Sequence, residues 1–312
     1  MLGIRCCDRF GAAGLRTTPA WHDGARSVVS VRGITLIDFP NHHVIAGAGS
    51  GDIGCSPALI SAMTNVKVMG WRANGDGIHV FGAWLVKDCF LRTQDDSLYL
   101  SSSGAKTHHC PSRYEGITTW NDANGAAYML IGYGNTLIAS DSIYQRSSWA
   151  WWSGGRVLTN RQQGTTVGVT VDDLVASDPF PYADAINLNM QPGPESGSDH
   201  PGPSTVMNVT IRNLHVRAFS TQRSCPKGGA NGEGEGGCAC VPACGPGVLP
   251  LGIPNVIAGG PVATNNITSL SFINCTIGGQ PMAEVLLGPG FNVTWDAVAD
   301  ITADGKNIRP PL

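Results

Sequence analysis

The sequence predicts an all-β protein, and three observations carry that prediction. Its 312 residues include 41 glycines and are 42% hydrophobic but only 14% charged, a balance that suits a turn-rich sheet protein with a full-sized core. Long stretches of helical periodicity are hard to find, whereas short runs of alternating Val, Ile and Leu recur along most of the chain. One unit (a short β-branched run, a polar or glycine corner, another short run) returns at about 20 to 30 residues in the first half and more widely later. Such a unit cannot bury its apolar face alone. Stacked copies can, because each strand then pairs with its equivalents above and below at about 4.8 Å. The architecture predicted is a right-handed parallel β-helix, a solenoid. An antiparallel sandwich is the alternative, but its two-residue Asn-Gly and Asp-Gly hairpins would have to explain corners that here recur in register with carboxylates.

Taken in order, residues 1–26 are unpatterned and lack the apolar stretch of a secretory signal, so they are expected to be a truncated or misassigned start. The patterned region runs from 27 to 312. "NVKVMGWRANGDGIHV", "AWLVKDCFLRTQDDSLYL", "EGITTWNDANGAAYML" and "NTLIASDSIYQRSS" follow one another through residues 65–148. "TVGVTVDDLVASDPFPYADAINLNM", "VMNVTIRNLHVRAF" and "ITSLSFINCTIGG" continue the theme. Alternation places one side of each run inward, and the corners fall at Gly, Asn and Asp. Residues 223–247, "RSCPKGGANGEGEGGCACVPACGPG", break the pattern and read as an inserted loop. The spacing of Cys225, Cys238, Cys240 and Cys244 fits no common paired zinc arrangement, so a glycine-rich loop stapled by disulfides is the plainer reading. Cys55, Cys89, Cys110 and Cys275 read equally as buried thiols in the interior.

Charge and composition exclude several functions. A net charge of −3 leaves no basic excess for a nucleic-acid backbone, and no Lys/Arg cluster marks a membrane surface. No apolar run approaches the ~18 residues of a membrane-spanning helix. Ten cysteines, with Asn-X-Ser/Thr triplets at Asn208, Asn266, Asn274 and Asn292, favour a secreted, disulfide-bonded glycoprotein.

Chemistry concentrates in three carboxylates. If "GDGIHV" and "DDSLYL" hold equivalent positions in adjacent repeats, Asp76 lies level with the Asp95/Asp96 pair. Neighbours on a strand point to opposite sides, so Asp95 and Asp96 share a side only if one sits in the corner before the strand. Like charges brought together raise at least one pKa, leaving a protonated acid beside ionised bases. Glycosidic hydrolysis needs that pair, and proceeds with inversion when acid and base stand about 6.5–9.5 Å apart. Two other readings stay open: Asp-Gly and Asp-Asp-Ser as turn chemistry, and three aspartates as a calcium site. Trp71, Trp84, Trp120, Tyr133, Trp149, Trp151 and Trp152 are candidates for stacking on sugar rings, although most such residues are core. Trp71 and Tyr133 flank the aspartate repeats and are preferred, with Asn74 and Asn124 at comparable corners as hydroxyl binders. His79 reads either as a satisfied groove-side histidine or as a participant.

The run "VKVMGWRANGDGIHVFGAWLVKDCFLRTQDDSLYL" with "ITTWNDANGAAYMLIGY" resembles the core of glycoside hydrolase family 49, the dextranases and isopullulanases, which share a β-helix and an aspartate trio with the polygalacturonases of family 28. The likeness covers about residues 27–190. It implies inverting hydrolysis of an α-glucan such as dextran or pullulan by a monomer, without cofactor or metal, with Asp95 as general acid and Asp76 and Asp96 positioning and deprotonating water. The chain departs from family 28 in having "NGAAYML" and "NRQQG" where that family carries Gly-His-Gly and Arg-Ile-Lys, which argues against an anionic uronate. It departs from family 49 in carrying Tyr99 where a lysine is expected, and in having no room before residue 27 for that family's β-sandwich. The alternatives are a pectin hydrolase using Arg146, Arg156 and Arg161, and a non-catalytic carbohydrate-binding β-helix.

Overall fold

A computed structural model of the chain describes residues 15–17, 28–39, 42–47, 60–71, 75–81, 83–93, 95–101, 111–121, 126–130, 132–133, 135–144, 156–159, 165–177, 186–187, 205–216, 266–287 and 298–308. This part is mostly strand, and among the described residues no helix is long and apolar enough to cross a membrane.

The strands come in groups. The first holds β1 (Leu15–Thr17), β2 (Ser30–Arg32) and β3 (Thr35–Ile37), the second β4 (Val44–Gly47), β5 (Ser61–Thr64) and β6 (Lys67–Met69). The third holds β7 (Ile78–Phe81), β8 (Trp84–Lys87) and β9 (Phe90–Thr93), the fourth β10 (Leu98–Ser101), β11 (Arg113–Glu115) and β12 (Thr118–Asn121). Then come β13 (Ala126–Leu130), β14 (Gly132–Tyr133) and β15 (Thr136–Tyr144), followed by β16 (Arg156–Thr159), β17 (Thr165–Val167) and β18 (Thr170–Ser177). β19 (Ile186–Asn187), β20 (Thr205–Val216), β21 (Asn266–Ile273) and β22 (Thr276–Ile277) continue the series. β23 (Gln280–Pro281), α1 (Met282–Leu287), β24 (Val298–Ala303) and β25 (Lys306–Asn307) end it.

Each strand of the early groups pairs in parallel with its counterpart in the next group. β1, β4, β7, β10, β13, β16 and β19 make a seven-stranded parallel sheet. The remaining strands join an eighteen-stranded sheet, because β15, β18 and β20 are long enough to serve two positions at once. β15, for example, pairs with β11 through Thr136–Ile138 and with β12 through Asp141–Tyr144. The sheet starts earlier than the repeating pattern does: Leu15–Thr17, inside the segment expected to be unpatterned, register with Val44–Ala46. Three residues are too few for alternation to be read from sequence.

One backbone position explains the recurring corners. Gly33, Asn65, Asp88, Gly116, Ala139, Asp173, Asn213 and Asn274 hold φ between +48° and +67° at the bend between the second and third strand positions of successive groups. Gly, Asn and Asp tolerate this left-handed conformation better than other residues. Each is followed by an inward residue, and Val66, Cys89, Ile117, Leu174, Leu214 and Cys275 are all buried there. Side chains tie the later corners together: Asn274 Nδ2 donates to Asn213 Oδ1 (2.7 Å), and Asn213 Nδ2 donates to Asp172 Oδ1 (2.9 Å). The sequon asparagine Asn274 therefore has a structural task, and its neighbour Cys275, like Cys89, is a buried free thiol.

Inward residues stack in columns. Met63, Val86, Tyr114, Leu137, Val171, Ile211 and Phe272 occupy one register position of successive strands and are all buried. Each large apolar side chain so buried contributes about 1.5–3 kcal/mol. Trp84 belongs to this interior at 0% exposure, which removes it from the sugar-stacking candidates. Met282, Val285 and Leu286 of α1 are buried as well, and Glu284 is exposed, the spacing of a helix with one apolar side. Among the described residues the Asp-Gly hairpin, Asp304–Gly305 between β24 and β25, lies at the end of the series, and antiparallel pairing is confined to it and to β22 with β23.

A candidate carboxylate and histidine site

The trio lies where β7 and β10 begin. Ile78 registers with Val44 on one side and Leu98 on the other, and backbone hydrogen bonds carry the pairing back beyond the strands. Gly77 N donates to Asp96 O (2.8 Å), Ile78 N to Ser97 O (2.9 Å), His43 N to Asp76 O (2.9 Å) and Val44 N to Gly77 O (3.0 Å). Asp76 thus occupies the same place in its group as Asp96 in the next and His42 in the one before. Gly77 permits the approach: a Cβ there would lie 2.2 Å from Ser97 O. Asp95 sits in the corner, as two same-sided aspartates require; its Oδ1 accepts from Asp96 N (2.9 Å) and its carbonyl accepts from Thr93 Oγ1 (2.9 Å). All three aspartates are nearly buried, at 8%, 9% and 8% exposure for Asp76, Asp95 and Asp96.

Histidines and a tyrosine close around them. His79 Nε2 is 3.0 Å and His42 Nε2 3.5 Å from the same oxygen, Asp76 Oδ2. The His42 and His79 rings meet edge to face with centroids 4.5 Å apart, and His79 lies beside Tyr99, its register partner on β10, at 4.6 Å. His43 Nδ1 donates to the Asp76 carbonyl (2.7 Å), which pins the backbone at the carboxylate.

Burial sets the protonation. It pushes Asp76 up to about 6, opposed by the nearby His42, and pushes His79 down to about 4, opposed by Asp96. His42 and His43 are also lowered by burial. Burial raises Tyr99, with the Asp96 and Asp76 charges adding to the effect. At neutral pH the histidines are uncharged and Asp76 is ionised. The donors of His42, Asp76 and His79 lie within 4.8 Å of one another, a nitrogen-rich set unlike the all-oxygen shell of calcium.

Of the stacking candidates, Trp71 is 49% exposed. The Arg92 guanidinium lies over its ring at 4.8 Å and over Trp120 at 6.0 Å, and Arg92 Nη1 donates to Gly70 O. Gly70 leads back to the trio, since a Cβ on it would strike the His43 ring at 2.5 Å. Tyr133 falls on β14. Asn74, Asn124, Trp149, Trp151, Trp152, Cys55, Cys110, Asn292, Arg146, Arg161 and the 223–247 insertion lie outside the described residues.

Sequence reasoning left His42 and His43 unmentioned and Tyr99 without a partner. A signal existed: "NHH" precedes β4 as "GDG" precedes β7, so aligning the groups on their strands puts His42 in the aspartate column. No protein-family profile, no curated protein and no solved structure matches the chain.

Proposed function

We propose that the chain is a right-handed parallel β-helix and an extracellular, monomeric glycoside hydrolase that cleaves α-glucosidic bonds of a neutral polysaccharide, dextran or pullulan, by inversion. The observation that carries this reading is the buried trio in register. Turn aspartates in this fold look different: Asp88 and Asp173, at the left-handed corners, are exposed to solvent. Keeping three carboxylates away from water is costly and builds no corner that an exposed aspartate would not build equally well.

In the reaction, Asp95 protonates the glycosidic oxygen, while Asp76 and Asp96, one strand spacing apart, hold a water and take its proton. A base with its pKa near 6 is ionised yet still proton-accepting at neutral pH, which suits Asp76 to the role. Neutral histidines around it add no cation for a uronate, and among the described residues the Arg92 guanidinium lies over the Trp71 and Trp120 rings. The half-exposed Trp71 offers an apolar ring to a sugar. Ten cysteines and the sequons support secretion.

Reducing-sugar release from dextran, pullulan and polygalacturonate, compared with an Asp95→Asn variant, tests the reading. Release from dextran or pullulan that disappears in the variant is expected. Release from polygalacturonate alone transfers the assignment to a pectin hydrolase. A folded protein that releases nothing but still binds dextran is a carbohydrate-binding β-helix.

A further inference from the structure

We propose that His42, Asp76 and His79 bind one divalent transition-metal ion of the zinc class, and that the bound ion withholds Asp76 from hydrolysis. The binding claim stands on the three side chains alone; the inhibitory consequence rests on the function proposed above.

The donors come from adjacent groups. His42 precedes β4, Asp76 precedes β7 at the same register position, and His79 lies on β7. Zinc bonds of about 2.0–2.2 Å in a tetrahedron put neighbouring ligand atoms about 3.4 Å apart. The separations of 3.0 Å and 3.5 Å from Asp76 Oδ2 to the two imidazole nitrogens bracket that value. All three donors already fall within 4.8 Å, so the imidazoles need to close by about 1 Å or more only if they sit at that limit.

A second, independent feature points to a ligand. His79 is 7% exposed, and among the described residues its Nε2 has no hydrogen-bond partner, although it lies 3.0 Å from Asp76 Oδ2. A buried polar nitrogen left in this way is costly in a folded protein. Two imidazoles and a carboxylate favour zinc, nickel or copper over magnesium or calcium, and three protein ligands leave a further position for water.

The test is titration of the chelator-stripped full chain with Zn²⁺ alone, by competition with a chromophoric chelator, with Ca²⁺ as control. One zinc per chain is expected, with no displacement by Ca²⁺. His42→Ala, at a half-buried position, and His79→Gln, which keeps volume, should each weaken binding by more than the ~10–100-fold typical of losing an outer partner. Circular dichroism and urea midpoints establish that both variants are folded. Co²⁺ substitution separates this site from the cysteine-rich insertion, because a nitrogen and oxygen set gives no thiolate charge-transfer band. Absence of zinc binding, or binding unchanged in both folded variants, or a thiolate band, overturns the proposal. Loss of hydrolysis over the same zinc range, reversed by EDTA, supports the second half of it, and full activity with zinc bound refutes that half. Zinc binding by a protein inactive on every glycan upholds the metal site and counts against the hydrolase.

Discussion

Replacing Gly77 by alanine tests the geometry on which the site depends. Gly77 is flanked by Asp76 and the first residue of β7, and an added Cβ would meet Ser97 O at 2.2 Å, with Ser97 C and Thr93 Cγ2 both at 3.1 Å. A carbon–oxygen contact needs about 3.3 Å, so the β7 and β10 entrances must part by about 1 Å. Two backbone hydrogen bonds span that gap, Gly77 N to Asp96 O and Ile78 N to Ser97 O. Losing them costs about 0.5–1.5 kcal/mol each, and overpacking adds about 1–3 kcal/mol. The stiffer unfolded chain returns about 0.4–1 kcal/mol. The net expectation is a destabilisation of about 1–6 kcal/mol, read from urea denaturation. Parting the entrances also moves Asp76 relative to Asp96, and a 1 Å misplacement of reacting groups costs about 100-fold in rate, so hydrolysis by the folded fraction should fall by that order. Gly33→Ala gives the scale: nothing lies within 4 Å of its Cβ position, and only its φ of +67° opposes the change. A Gly77→Ala protein within ~0.5 kcal/mol of the parent, the surface-substitution range, with full activity, would refute the register argument.

Further expectations concern the corners, the thiols and the proposed site. Asn213→Ala should cost about 1–2 kcal/mol from its φ of +51° together with the lost bonds to Asp172 and Asn274, and Asn213→Gly distinctly less, in urea midpoints. Burial raises Cys89 to about 11 from 9.0, so at pH 8 its thiolate fraction is about 100-fold below that of the unfolded chain, and a thiol reagent should label it only on unfolding. With a chelator present, kcat/KM on a glucan substrate should fall below about pH 6 if Asp76 is the base proposed above, because its protonation removes that base; an acid limb unchanged in Asp76→Asn would refute that role. Trp71→Ala should raise KM for the glucan about tenfold, some 1.4 kcal/mol, with kcat little altered.

Much of the strand pattern is legible in the sequence because it is written locally. Alternation in "VKVM" or "TVDDLVAS" sets which residues face inward, and Asn65, Asp88, Asp173, Asn213 and Asn274 mark the bends because the left-handed conformation penalises most other side chains. The pairing of Asp76 with the Asp95/Asp96 motif is legible too, since both precede a short apolar run after a tight corner.

What only the tertiary structure decided depends on connections whose length is not read from local pattern. His42 joins Asp76 because Val44 registers with Ile78, and the match shows in the sequence only once the groups are aligned on their strands. Burial divides chemically identical groups: Asp76, Asp95 and Asp96 are withdrawn from water while Asp88 and Asp173 stay exposed, and Trp84 is core while Trp71 is half-exposed. Residue type and spacing are the same in kind for each pair. The difference comes from which strand stacks against which, and that is settled by the summed packing of the columns rather than by any one segment. The amino-acid sequence by itself determined the strand pattern, the bends and the register of the aspartates, while tertiary stacking determined that Asp76 and two imidazoles meet at one desolvated point beside Asp96.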